Sequence, residues 1–284
     1  MTDVVVGAAG TPVADAAFTG AAYAAATGHH RAHDVDVLSP VAWRAGMRVL
    51  DLGCGVGDLT ARVADLVAPG EVLGVDSSAS QVEHARTRSV RPGLDYVVGR
   101  AQELDRVVPA GWADVVLSVA VLHWVVEAEQ PAVMSQIARA LRPGGVLRLD
   151  MGGAGQIEDA RAVLDVVAAE HGMSGSPWFF PDEVAARQLL VEAGLRPESL
   201  ELRRQRRGMA DEAALESWLR SQVLPGYGRG RPEGRQAFEA EAVRRCTASL
   251  RREDGTLDQP YVRLDAVAVR VQPPAVVHRP VRRR

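Results

Sequence analysis

Apolar positions along the first half of the chain switch repeatedly between a short clustered pattern and a helical one. Val49–Leu52, Val72–Val75, Asp95–Val98, Asp114–Ala120 and Val146–Met151 are compact runs rich in valine and leucine, the pattern of buried strands. Between the first two, Leu59, Ala61, Val63, Ala64, Leu66 and Val67 recur at helical spacing, which predicts a helix from about Asp58 to the Pro69-Gly70 stop. Ser77 or Ser78 can cap a second helix through Val82 and Ala85, and Pro131 to Leu141 predicts a third that stops at Arg142-Pro143-Gly144-Gly145. Strand, helix and strand in repetition call for a parallel sheet with right-handed crossovers. Its ligand then belongs beyond the carboxyl ends of the early strands.

The second half is less regular. Helices are expected over Ile157 to Glu170, from an Asp182 cap to Ala193, over Asp211 to Gln222 with Leu215, Trp218 and Leu219 on one side, and over Arg235 to about Leu250. Leu200–Leu202 opens a sixth strand and Tyr261–Val271 alternates as a closing one. Gly172 to Pro181 reads as a loop with Trp178, Phe179 and Phe180 in succession, and Pro225 to Gly234 as a hinge-like loop carrying Tyr227. Helices inserted between the last strands are placed to cover a substrate and exclude water. Upstream, residues 1 to about 17 read as a loose arm, and Ala16 to about Pro40 as a helix holding Phe18, Tyr23, His29, His30 and His33. The expected units are an arm and lid helix over 1–40, a ligand-binding core over 41–152, remaining strands with covering helices over 153–272, and a basic tail over 273–284.

The chemistry gathers where the first strand breaks. Val49–Leu59 reads VLDLGCGVGDL, so Asp51 near the strand end is followed at once by Gly53, Gly55 and Gly57, with Cys54 inside the turn. Glycine is needed where φ is positive or where a ligand approaches the backbone closely. The second strand ends in Asp76, placed to accept two hydrogen bonds from a ribose diol. The spacing is G-x-G-x-G and not the G-x-G-x-x-G of dinucleotide sites, so a ligand with a ribose and no pyrophosphate fits better.

With VLGVDSSASQVEHAR from Val72, WADVVLSVAVLHWV from Trp112 and IARALRPGGVLRLD from Ile137, the stretch from about Met47 to Asp150 resembles the class I S-adenosylmethionine-dependent methyltransferases. PWFFPDEVAARQLLVEAGL and the ALESWLR helix resemble the small-molecule branch that contains trans-aconitate methyltransferase. The resemblance implies a Rossmann-like, doubly wound α/β fold with a seven-stranded sheet whose last strand is antiparallel, an N-terminal helical lid and helical insertions over the active site. It implies S-adenosyl-L-methionine as donor and S-adenosyl-L-homocysteine as product. It places Asp51, Gly53, Cys54, Gly55, Gly57, Asp76, Ser77, Gln81, Ser118, Val119 and His123 at the donor. The acidic residue that usually takes the adenine amino group is Arg100 here, which cannot accept that bond, so the contact moves to Gln102 or the backbone around Ala101.

Methyl transfer from a sulfonium is an in-line displacement with a neutral leaving group. It needs a nucleophile about 3 to 3.5 Å from the methyl carbon in a dry pocket, so neither a triad nor a metal is required. A carboxylate acceptor needs no base, whereas a hydroxyl or activated carbon would call on His123, His29, His30 or Tyr23. His123 would need a pKa near neutral for that work, and packing or orienting is its other reading. Tyr23, His30, Trp124, Trp178, Phe179, Trp218 and Tyr227 are the candidate substrate wall, although aromatics at such spacing are also ordinary core. His29 and His30 equally suit a solvated helix end. Adjacent histidines point apart on a helix and no cysteine or carboxylate completes a ligand set, so no metal is expected.

Composition narrows the class. A formal charge of −3 over 284 residues argues against a general nucleic-acid binder. Arginines do cluster at Arg203, Arg204, Arg206 and Arg207 and again at Arg229, Arg231 and Arg235, which favours an acceptor bearing carboxylate or phosphate, unless these are solvated faces. The two cysteines, Cys54 and Cys246, lie far apart, as suits a reducing cytoplasm, and neither a signal peptide nor a membrane span is read. The expectation is a cytoplasmic monomer or homodimer that methylates a small, anionic metabolite or secondary-metabolism intermediate on oxygen or carbon. A non-methylating rearrangement or cyclisation, and an RNA or protein methyltransferase, are the alternatives.

Overall fold

In the computed structural model, which describes residues 35–176, 178–228 and 233–271, Arg48–Leu52 (β1) lies at the middle of a parallel array. Glu71–Asp76 (β2) pairs with it on one side and with Leu94–Val98 (β3) beyond; Ala113–Val119 (β4) pairs with it on the other, followed by Leu141–Gly152 (β5). Leu257–Arg270 (β7) runs antiparallel to both β5 and Leu195–Met209 (β6), which completes a seven-stranded sheet in the order β3-β2-β1-β4-β5-β7-β6. The α/β architecture with one reversed strand agrees with the sequence reading.

Strand periodicity sorts side chains between two faces. Val49, Val115 and Leu117 point into a core with Val37 and with Val63 and Val67 of Asp58–Val67 (α1). Leu50, Leu52 and Val116 point into the other core, with Ile137 of Gln130–Ala140 (α3) and Leu190 of Glu183–Glu192 (α5). Burial on both faces is why these strands read as continuous apolar runs rather than alternating ones. Ala79–Arg88 (α2) starts at Ser78, whose hydroxyl accepts from Gln81 N, which selects Ser78 over Ser77 as the cap.

A third apolar core lies off the sheet. Glu158–Glu170 (α4), Glu212–Trp218 (α6) and Arg235–Leu250 (α7) contribute Leu164, Leu215 and Phe238 to it. α6 is shorter than expected: at Leu219–Val223 the chain widens into a π turn, then tightens into a 3-10 turn at Leu224–Gly226. β5 begins at Leu141, since the Arg142-Pro143-Gly144-Gly145 stop is absorbed as a register shift opposite Ala113 to Val115, with Gly144 at φ +74°. β6 runs well beyond Leu200–Leu202 in both directions, because an edge strand can carry charged residues at nearly every position.

The lid helix lies almost wholly, and the basic tail entirely, outside the described residues. No helix among the described residues is long and apolar enough to cross a membrane.

Candidate active site

The turn leaving β1 is folded tightly against its own protein. Gly53, Gly55 and Gly57 have φ of +79°, +54° and +85°, the left-handed region that favours glycine. Gly53 N and Cys54 N both donate to Val75 O, at 2.7 and 3.2 Å, so the turn is stitched to the end of β2. A Cβ on Gly53 would run into the Val121 side chain, and one on Gly57 would lie 2.6 Å from the Tyr96 hydroxyl. At these two positions packing within the chain already demands glycine, in addition to any ligand. Val121 is aimed there by Ala120, which holds φ +59° at the end of β4 while its N–H donates to Asp150 O at 2.7 Å.

Two carboxylates flank this turn. Asp76 Oδ2 accepts from Gly55 N and its Oδ1 from Ser78 N, both at 2.9 Å. Asp51 is buried and accepts from Thr60 Oγ1 at 2.7 Å. Burial, assisted by the Asp76 charge and opposed by the Thr60 bond, pushes its carboxyl up to about 7. Cys54 is a buried free thiol whose ionisation is suppressed by burial and by both carboxylates, so it is wall and not nucleophile.

Several features fit an adenosyl donor. Gln81 Oε1 and Ser118 Oγ are buried with no hydrogen-bond partner, on the first turn of α2 and near the end of β4. Buried polar atoms normally find one, so orphaned ones mark places where a ligand can supply it. Gln102 donates from Nε2 to Glu129 Oε2 at 2.6 Å, which fixes its amide while Arg100 is exposed. Glu129, in the short Glu127–Glu129 turn before α3, carried no periodic signal that would have singled it out. Ser77 is exposed, and Val119 and Ala101 are half-buried.

His123 follows β4 in the 3-10 turn Leu122–Trp124. Its Nδ1 accepts from Gly152 N at 3.4 Å, at the end of β5. Burial, then the Arg263 charge, lowers its pKa to about 3 against a smaller opposing pull from Asp150. The near-neutral pKa that a base role would need is absent, which favours the packing or orienting reading: the ring is neutral, and with Nδ1 accepting, its proton sits on Nε2. Beneath it Arg263 pairs with Asp150, and Arg148 and Arg203 both pair with Asp265, a buried network joining β5, β6 and β7. Arg148 Nε also donates to Val37 O at 2.7 Å.

The cover closes over this point. Phe179 N donates to His123 O at 3.1 Å, and the Phe180 ring centre lies 5.6 Å from that of His123. Trp178 meets Trp124 edge-on at 5.4 Å and Tyr227 edge-on at 5.8 Å. Trp178, Trp218 and Tyr227, expected on the substrate wall, are all buried in the apolar core of the cover, and Tyr227 donates its hydroxyl to Asp165 at 2.9 Å. Of the aromatic triple, which could all line the cover, Phe180 brings its ring against His123 and Phe179 its backbone N–H. Tyr23, His29 and His30 lie outside the described residues.

Three arginines of the two clusters are occupied elsewhere, and Arg207 lies against the Tyr261 ring, 5.4 Å from its centre. Arg203 serves the buried network, Arg206 pairs with Asp258 and Asp159 at the surface, and Arg235 donates to Tyr227 O and Leu224 O. Arg229 and Arg231 lie outside the described residues. A groove of about 780 Å³ between α4 and α7 is lined by Arg244, Arg245 and Arg252, whose guanidiniums are held by Glu241, Glu170, Asp159 and Asp258.

A family model described as a methyltransferase domain matches residues 49–145. A trans-aconitate 2-methyltransferase of Mycolicibacterium gilvum is 32% identical over 244 residues, covering 82% of this chain and 91% of the relative. A 27-O-demethylrifamycin SV methyltransferase of Amycolatopsis mediterranei is 36% identical over 170 residues, 56% of this chain and 57% of the relative. Among solved structures, a geranyl diphosphate C-methyltransferase of Streptomyces coelicolor, bound to S-adenosyl-L-homocysteine, superposes with a TM-score of 0.52 at 17% identity, over 85% of this chain and 76% of that one.

Proposed function

The chain belongs to the class I S-adenosylmethionine-dependent methyltransferases, and from that premise we propose that its acceptor is a small, anionic metabolite or natural-product intermediate methylated on oxygen or carbon. Asp76 would receive the ribose hydroxyls, the glycine turn would back the donor, and the Gln102 amide oxygen would take the adenine amino group. Bound there, S-adenosylmethionine supplies a methyl group already activated on sulfur. Asp76 would favour the positive charge of such a ligand, and that charge would in turn favour the ionised form of Asp51.

The observation that carries the acceptor size is the contact between Phe180 and His123, with Phe179 N–H on His123 O. An aromatic cover bonded directly to the post-β4 turn suits a small molecule enclosed from water better than a polymer lying across an open face. His123, neutral and protonated on Nε2, would donate to an acceptor oxygen and orient it without removing a proton. A carboxylate needs nothing more. Trans-aconitate, named for the Mycolicibacterium gilvum relative, is therefore the acceptor to try before others.

The test is transfer of radiolabelled methyl from S-adenosylmethionine to trans-aconitate and a panel of small organic acids, with matched neutral compounds and bulk tRNA as controls. Labelled acid is expected. Label in tRNA alone, or S-adenosyl-L-homocysteine formed with no acid or small molecule labelled, would overturn the acceptor assignment.

A further inference from the structure

We propose that Arg161 on α4 is the specificity residue of the acceptor site, receiving a carboxylate of the substrate remote from the one that is methylated, so that the acceptor is a di- or polycarboxylic acid. The inference rests on the donor reading above and adds to it a residue and a substrate class.

Arg161 is the fourth residue of α4, close behind the end of β5, and so stands at the carboxyl edge of the sheet where the donor half and the cover meet. Its guanidinium lies 5.2 Å from the Phe180 ring centre, and Phe180 in turn packs on His123 and closes on Gly152. The residue is half-buried, and its Nε is fully enclosed with no acceptor. No carboxylate or carbonyl among the described residues reaches the guanidinium. Asp165, one turn further along α4, is the obvious partner at helical spacing, yet it takes the Tyr227 hydroxyl and forms no ion pair with Arg161.

That arrangement differs from most of the arginines around it, although Arg207 likewise lies 5.4 Å from the Tyr261 ring centre. Arg206, Arg244, Arg245 and Arg252 are exposed or half-exposed and matched to carboxylates, and Arg263 is buried and matched to Asp150. A guanidinium stacked on a ring keeps its in-plane N–H groups for a planar partner, and the fork geometry fits a carboxylate with two parallel bonds. One fork balances the single charge of a carboxylate, whereas a diphosphate would call for further cations. The path from Arg161 through Phe180 to His123 supplies two separated donor points, one for each end of a diacid: the guanidinium and the Nε2–H of His123.

The test uses the full chain loaded with S-adenosyl-L-homocysteine, titrated by calorimetry with trans-aconitate, citrate, succinate and glutarate, and with dimethyl succinate as the neutral match. The loaded protein should bind at least one of the acids and not the ester. Arg161→Gln should weaken that acid by roughly tenfold or more, the scale of a charge-assisted hydrogen bond, and Arg161→Lys should recover only part of the loss. Affinity for S-adenosyl-L-homocysteine and the thermal midpoint should be unchanged in both variants. An Arg161→Gln protein that binds the acid as tightly as the parent, or a loaded parent that binds none of the acids, would overturn the role of Arg161 and leave the donor site standing. Failure of the parent to bind S-adenosyl-L-homocysteine would instead remove the donor reading and this inference with it.

Discussion

Asp51 and His123 both sit where burial disfavours charge, and they respond to pH in opposite senses. Asp51 rises from 3.8 to about 7 on folding, so the folded chain holds its proton more tightly. Its contribution to stability is complete below about pH 4 and is lost as pH climbs to about 7. His123 falls from 6.5 to about 3, so its contribution is complete above about pH 6.5 and is lost as pH falls toward 3. Between about pH 4 and 6.5 the two slopes oppose, and urea unfolding of Asp51→Asn should show stability climbing more steeply with pH than the parent. His123→Gln should show the reverse. Over the same range, turnover should carry no ionisation limb from His123; a limb near pH 6.5 abolished by His123→Gln would restore it as a base. Asp76→Ala should weaken S-adenosyl-L-homocysteine by about 1.5 to 3 kcal/mol in calorimetry, as expected for a charged hydrogen bond.

At the scale of elements, helix starts were legible because the signal is one side chain in one place. Asp182 and Asp211 accept from Ala185 N and Ala214 N, and replacing either with alanine should cost about 1 kcal/mol in chemical denaturation. The buried parallel strands were legible because burial on both faces leaves little room for polar residues. β6 was legible at Leu200–Leu202 alone, since its Arg and Glu positions are paired across and along the sheet edge, as Arg203 is with Asp265 and Arg206 with Asp258, and no apolar period survives there. The turn leaving β1 could be read from its glycines, whose positive φ and closure onto Asp76 the fold shows. Val121, Glu129 and Arg161 could not, because their places arise from contacts between elements distant in sequence. The arginine runs left two readings open for a related reason: density of charge along the chain does not say which guanidinium is paired in space, as Arg206 is with Asp258.

For the molecule as a whole, the separate core of the cover means that its integrity and donor binding should come apart experimentally. Trp178 packs with Trp124, Phe180 and Tyr227 in that core, away from the clusters that support β1 and β2. Trp178→Ala should lower stability by about 3 to 5 kcal/mol, read by differential scanning calorimetry, while S-adenosyl-L-homocysteine still binds the surviving folded fraction with parental affinity. A matching loss of donor affinity would show that the two cores act as one. The pairing of β7 bears on how such a protein diversifies. β5 leaves the ladder at Gly152 opposite Arg263, and from there to Leu257 β6 is the one strand paired with β7, supported by Gly153 N on Val262 O, Ile157 N on Pro260 O and Val262 N on Gln156 Oε1. That ribbon reaches about 20 Å past its neighbour at the usual rise per residue. On the proposed reading the segment between β5 and β7 roofs the acceptor, so changes confined to it should alter which acceptor is taken and spare donor binding.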